Sequence, residues 1–130
     1  MSSLFTKIYK GEIPSYKIAE DDNFFAFLDI YPIAKGHTLV IPKKEIENLF
    51  DLDNESYTGL WLFAKKIAVA MKKTIPCKRI GVAVVGLEVP HAHINLVPIN
   101  DMNDFDFTMP KLKFSKEEFE EIAIKISHAL

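Results

Sequence analysis

The sequence predicts an α+β fold: an antiparallel sheet of about five strands, a long central helix, a short N-terminal helix and a C-terminal helix. Three observations lead there. Most strand-like runs are joined by connections too short for a parallel crossover. Apolar residues recur at three- and four-residue steps from Tyr57 to Met71. A helix-opening signature stands at Ser115–Glu118. With 130 residues, 48% of them apolar, the chain suits one domain over 1–130 with an ordinary core.

Each element has its own local grammar. Ser2 or Ser3 can cap a short helix carrying Leu4, Phe5 and Ile8, with Gly11 as its stop. Ser15–Glu20 and Asn23–Asp29 read as strands joined by a turn at Asp21-Asp22, and His37–Ile41 reads as a buried strand closed by Pro42. Asp53 or Asn54 then caps the long helix, whose stripe is Tyr57, Leu60, Trp61, Ala64, Ile67, Ala68 and Met71. Leu62, Phe63, Val69 and Ala70 lie off that stripe, so the helix packs on two sides. Either both sides are covered within one chain or one meets a partner subunit.

Ile80–Val85 and His91–Ile99 complete the strand set, and Asn100–Pro110 is polar and punctuated, hence loop. In the last helix Ser115 and Glu118 make a capping box, Phe114 and Phe119 sit at the staple positions, and Phe119, Ile122, Ala123 and Ile126 form the buried stripe.

Composition excludes several function classes. Sixteen basic residues against eighteen acidic ones give a net charge of −2, which does not suit a surface for nucleic acid or anionic membrane. The single Cys77 rules out an intrachain disulfide and a cysteine-cluster metal site, and fits a reducing, cytoplasmic setting. Met1–Gly11 lacks the pattern of a signal peptide, and no apolar run is long enough for a bilayer span.

The chemistry concentrates in Pro90–Pro98, which reads P-H-A-H-I-N-L-V-P. On a strand His91, His93 and Asn95 point to one face, and Ala92, Ile94 and Leu96 to the other. The polar row admits three readings: a solvent-facing strand edge, a metal site with His37 and Glu45 as further ligands, or nucleophilic and acid–base chemistry on an anionic substrate.

His91-Ala92-His93-Ile94-Asn95-Leu96-Val97 resembles the signature of the histidine triad (HIT) family. Lys10-Gly11-Glu12-Ile13-Pro14, Glu20-Asp21-Asp22, Ala26-Phe27-Leu28-Asp29-Ile30 and Gly36 to Lys44 resemble other blocks of that family, in its order. The resemblance covers about residues 4–100, leaving 101–130 as a helical extension without a family motif. It implies a hydrolase or nucleotidyltransferase acting at a nucleotide α-phosphate through a nucleotidylated histidine. By position the nucleophile is His93, and His91 orients the site or contacts phosphate. Asp29 takes the ribose-binding place, Leu4, Phe5, Ile8, Phe27 and Ile30 the apolar walls around the base, and His37 an ordering place. His128 matches nothing and is expected in solvent. The implied partners are a nucleotide or nucleoside phosphoramidate and a second copy of the chain, with no cofactor.

The departures carry equal weight. Ser3 and Thr6 stand where zinc-bearing members have Cys-x-x-Cys, and Glu45 where many have histidine, so no structural metal is expected. Leu87 and Glu88 replace residues that face phosphate in many members, and an ionised Glu88 facing a phosphate would repel it. Asn95 stands for the third histidine. An amide can donate a hydrogen bond but cannot transfer a proton. The transferase branch also carries an amide there, so nucleophilic chemistry survives the change. The alternative is a nucleotide-binding module with little or no catalysis.

Overall fold

The computed structural model describes residues 2–130. Strands β1 (Lys17–Glu20), β2 (Phe24–Leu28), β3 (Thr38–Pro42), β4 (Arg79–Ala83) and β5 (Ile94–Ile99) form one sheet in the order β1-β2-β3-β5-β4. All neighbouring pairs are antiparallel, as the short connections require. Helices α1 (Leu4–Tyr9), α2 (Asn54–Thr74) and α3 (Lys116–His128) complete the α+β architecture.

The sheet is covered on both faces, which is why β2 and β3 read as unbroken apolar runs. Phe24, Ala26 and Leu28 join Val40, Ile94 and Leu96 in the cluster packed against α2 and α3. The intervening Phe25 and Phe27 join Leu39 and Ile41 in a second cluster with Phe5 and Ile8 of α1. The second face carries the histidines and Asn95; the first anchors the sheet that holds them.

Local signals open the helices. Ser3 Oγ accepts from Thr6 N to cap α1, and Asp53 accepts from Ser56 N to cap α2. Ser115 and Glu118 form the reciprocal capping box of α3, and Phe114 meets Phe119 edge-on at 5.5 Å. Along α3 the buried residues are Phe119, Ile122, Ala123 and Ile126. Along α2 the core face is rotated from the expected stripe: Phe63 and Ala70 are buried, whereas Tyr57, Trp61 and Ala68 are only half-buried. The rotation follows from apolar residues surrounding most of the helix, so periodicity alone does not select the face that docks.

The larger correction concerns the histidines. Strand β5 begins at Ile94, not His91, and β4 ends at Ala83, not Val85. His91 N–H bonds back to Val89 O at 2.8 Å and Ala92 N–H goes to Ile46 O at 2.7 Å, so this backbone is taken out of the ladder. Pairing with β3 starts at Ile94↔Val40. His91, His93 and Asn95 are therefore not three steps along one strand face. Ala92, Ile94 and Leu96 do enter the core.

The segment after β5 folds back over the second face. A Cβ on Gly81 of β4 would lie 2.5 Å from Phe105 Cε2, so the glycine admits the ring. Further on, Leu112 N–H donates to Pro32 O at 2.8 Å.

Gly36 positions His37. Its φ of +88° is in the left-handed region, and an added Cβ would stand 2.1 Å from Ile75 Cδ1. Gly36→Ala is expected to cost about 1–3 kcal/mol from strain and overpacking, read as a lowered denaturation midpoint with unchanged m-value.

Candidate active site

His91 is fully buried and uses both ring nitrogens. Nε2 lies 2.7 Å from Pro42 O, which only accepts, so Nε2 carries the proton. Desolvation holds the imidazole below its ordinary pKa and favours the neutral ring, leaving Nδ1 as an acceptor. Ser3 Oγ, 2.7 Å away, donates to it. Thr6 Oγ1 donates in turn to Glu45 Oε1 at 2.7 Å, and the Ser3 backbone N–H donates to the same carboxylate oxygen. These donors hold the Glu45 carboxyl down to about 2.

His93 lies beyond this cluster, half-buried, with its ring turned back so that Nδ1–H donates to His91 O at 2.8 Å. Its Nε2 makes no hydrogen bond among the described residues. Phe5 backs both imidazoles edge-on, with ring centroids at 5.8 Å from His91 and 4.9 Å from His93.

The other buried histidine is paired with Asn95. Ala83 O accepts only, so the Asn95 Nδ2 that faces it at 3.2 Å is the donor. That turns Asn95 Oδ1 toward His37 Nε2 at 2.9 Å and makes Nε2 the protonated nitrogen. Ile33 N–H donates to the remaining His37 Nδ1 at 3.2 Å. A fixed donor and a fixed acceptor thus dictate every proton in the chain Ile33–His37–Asn95–Ala83. Burial pushes the His37 pKa down, partly opposed by Asp29 and Asn95. Asp29 Oδ2 stands 3.7 Å from His37 Nε2, and its Oδ1 accepts from Tyr31 N at 2.8 Å.

One face therefore brings together His91, His93, Asn95, His37 and Asp29, with Phe5, Ile8 and Phe27 beside them. Leu4 and Ile30 stand apart from this apolar cluster, 47% and 51% exposed. Leu87 is 89% exposed, Glu88 is in solvent, and so is His128. The reading of a wet strand edge fails, since His91 and Asn95 are buried. Zinc does not fit at Ser3, Thr6, Glu45 and His91: two ligands are neutral hydroxyls, and the imidazole nitrogens are already committed to Ser3 and Pro42.

Sequence reasoning reads Ser3 as a possible cap, Glu45 as a possible metal ligand and all three of Ser3, Thr6 and Glu45 as departures from the family, but it does not find the hydrogen bonds that join them to one another and to His91. It also misses Phe107, whose ring packs edge-on against His37 at 6.0 Å. No local signal links residues 37 and 107; the contact follows from the returning tail.

A small α+β sheet with a backbone-held imidazole on one face defines a class of compact histidine-site proteins, and comparison makes the class specific. Residues 10–102 match the HIT domain, and the chain belongs to the histidine triad family. An uncharacterized HIT-like protein of Borreliella burgdorferi is 37% identical, the match covering 95% of each chain. The adenosine 5'-monophosphoramidase of Schizosaccharomyces pombe is 33% identical over 98% of this chain and 97% of its own length. The crystal structure of a HIT-like protein from Bartonella henselae superposes with a TM-score of 0.85, at 37% identity, covering 98% of this chain and 96% of that one.

Both buried histidines have folded pKa values below the ordinary 6.5. The folded state therefore binds fewer protons than the unfolded chain just below that pH. The stability they confer is complete above about 6.5 and is lost as pH falls through their folded pKa values. Urea midpoints measured from pH 7.5 to 5 are expected to decline, and less steeply in His37→Gln, which removes one of the two titrations.

Proposed function

We propose that the protein is a nucleotide hydrolase or nucleotidyltransferase that attacks the α-phosphorus of its substrate with His93. The observation that carries this reading is the 2.8 Å bond from His93 Nδ1–H to His91 O. In the neutral ring it fixes the tautomer and leaves the Nε2 lone pair for the attack. Nε2 forms a bond to phosphorus as the bond to the leaving group breaks, and the leaving group takes its proton from solvent. Water, or another acceptor, then takes the nucleotidyl group and restores the free imidazole.

The phosphoramidase activity named for the S. pombe relative supports a nucleoside phosphoramidate as substrate. Asp29 offers a carboxylate to the adjacent ribose hydroxyls, which suits two hydrogen bonds to one acceptor group. Phe5, Ile8 and Phe27 supply the apolar wall for the base, with Leu4 and Ile30 at its exposed rim. His37 orders the site through Asn95.

A second reading, nucleotide binding with little turnover, is favoured by the state of Asn95. Its oxygen is taken by His37 and one N–H by Ala83 O, so it retains a single N–H for a phosphoryl oxygen and no proton to transfer. Lost general-acid assistance of this kind is worth roughly 10²–10⁴ in rate.

A homodimer is part of the proposal. β4 is a free sheet edge that exposes Val82, with exposed Val84 and Val85 following, and α2 exposes Leu62 and Val69. Sedimentation at micromolar concentration is expected to give twice the chain mass; a single-chain mass would remove the dimer.

With adenosine 5'-phosphoramidate, intact-mass analysis of quenched reactions is expected to find a nucleotidyl adduct that maps to His93. His93→Ala should lose the adduct and reduce turnover by more than roughly 10³. Unchanged turnover in His93→Ala would overturn the assignment, and calorimetric nucleotide binding without adduct or turnover would favour the binding module.

A further inference from the structure

His91 is reached from the protein surface through a continuous line of side chains contributed by three distant segments. Glu45 lies beyond β3 and is exposed, Thr6 and Ser3 belong to α1 and its cap, and His91 precedes β5. Glu45 Oε1 accepts from Thr6 Oγ1–H at 2.7 Å and from the Ser3 backbone N–H. Ser3 Oγ accepts from Thr6 N–H at 3.1 Å and donates to His91 Nδ1 at 2.7 Å. His91 Nε2–H is spent on Pro42 O, and His91 O receives His93 Nδ1–H.

We infer that Glu45, Thr6 and Ser3 are positioning residues: they hold His91 in one tautomer and orientation and, through its carbonyl, fix the ring of His93. The inference rests on the reading of His93 as the nucleophile for its catalytic consequence, but the hold on the two rings is a separate, measurable property.

Capping alone does not account for the arrangement. A cap needs Ser3 Oγ only as an acceptor for Thr6 N–H, and nothing in capping requires the hydroxyl proton to be directed at an imidazole. Glu45 reaches the N-cap N–H of Ser3 from 42 residues away, not from within the same helix start as Glu118 does for Ser115. Thr6 itself is buried, and Glu45 Oε1 at 2.7 Å is the acceptor that takes its hydroxyl proton.

The helix that carries these groups has six residues, too short to hold itself in water. Its place on the sheet depends on what it grips. Phe5 and Ile8 grip the apolar cluster, and Ser3 and Thr6 grip Glu45 and His91. Phe5 also backs His93 at 4.9 Å, so α1 sets the nucleophile from two directions, one polar and one apolar. An in-line attack tolerates little misplacement, and errors near 1 Å cost on the order of 10² in rate. None of the three residues bonds to Asp29, His37 or Asn95, and Phe5 and Ile8 keep α1 seated in its apolar cluster, so turnover should fall far more than substrate affinity.

The test uses the full chain in two assays. Long-range nitrogen–proton correlation spectra of the histidine rings are recorded without nucleotide for wild type, Ser3→Ala, Thr6→Val and Glu45→Ala. The conservative Thr6→Ser and Glu45→Gln are recorded beside them, with circular dichroism to verify folding. Single-turnover nucleotidylation by adenosine 5'-phosphoramidate is then measured on the same proteins. The first three variants are expected to shift the His91 and His93 ring resonances and to lower kcat roughly 10–10²-fold at nearly constant KM. The conservative pair should return both readouts toward wild type, since each keeps the required hydroxyl or acceptor oxygen. Folded Ser3→Ala and Glu45→Ala with unmoved ring resonances would overturn the inference, as would a change confined to KM. If the resonances move but wild type forms no adduct, the nucleophile assignment falls while the hold on the rings stands.

Discussion

A buried neutral imidazole must place one proton and satisfy one lone pair, and His91 does both while its carbonyl holds a second histidine. That single requirement ties together parts of the molecule that share little sequence proximity. The end of β3 supplies the acceptor, α1 supplies the donor, and His93 hangs from the intervening peptide. An unpartnered polar group at this depth would cost about 1–3 kcal/mol, so the rings and their anchors stand or fall as one unit. The sheet beneath is rigid because both its faces are packed, and this fixes where the anchors sit.

The same rule governs His37 and Asn95, with a different outcome. There the pair is closed at one end by a backbone N–H and at the other by a backbone C=O, leaving one amide hydrogen uncommitted. The side chain at the third triad position is thus as much a structural partner of His37 as a surface offered to a ligand. A histidine placed there would have to satisfy the same two neighbours, so the identity of residue 95 and the tautomer of residue 37 are set jointly.

Much of the architecture was legible because local chemistry decides it. The α3 box at Ser115 and Glu118, the turn after β1, where Asp21 Oδ1 accepts from Asn23 N and Phe24 N at 2.8 Å, and the core positions Ala92, Ile94 and Leu96 all follow from near neighbours. The long helix was legible as an element but not in its docking face, because Leu62, Phe63, Val69 and Ala70 blur the stripe. The histidine row was legible as chemistry but not as geometry. Alternation assumes a continuing strand, whereas Ala92 N–H is claimed by Ile46 O across the chain. The bonds from Ser3 to His91 and from Thr6 to Glu45 span 88 and 39 residues and leave no periodic trace.

The tail has a consequence for divergence. The family match ends at residue 102, yet Phe105 fills the space above Gly81, Phe107 leans on His37, and Lys111 Nζ bonds to Phe107 O and stands 5.9 Å over that ring. One side of the histidine site is therefore packed by residues that lie beyond the matched domain. A change at Phe105 or Phe107 would alter what packs on Gly81 and His37 without touching any residue of the matched domain, so identity within the motif does not by itself fix the surroundings of the motif.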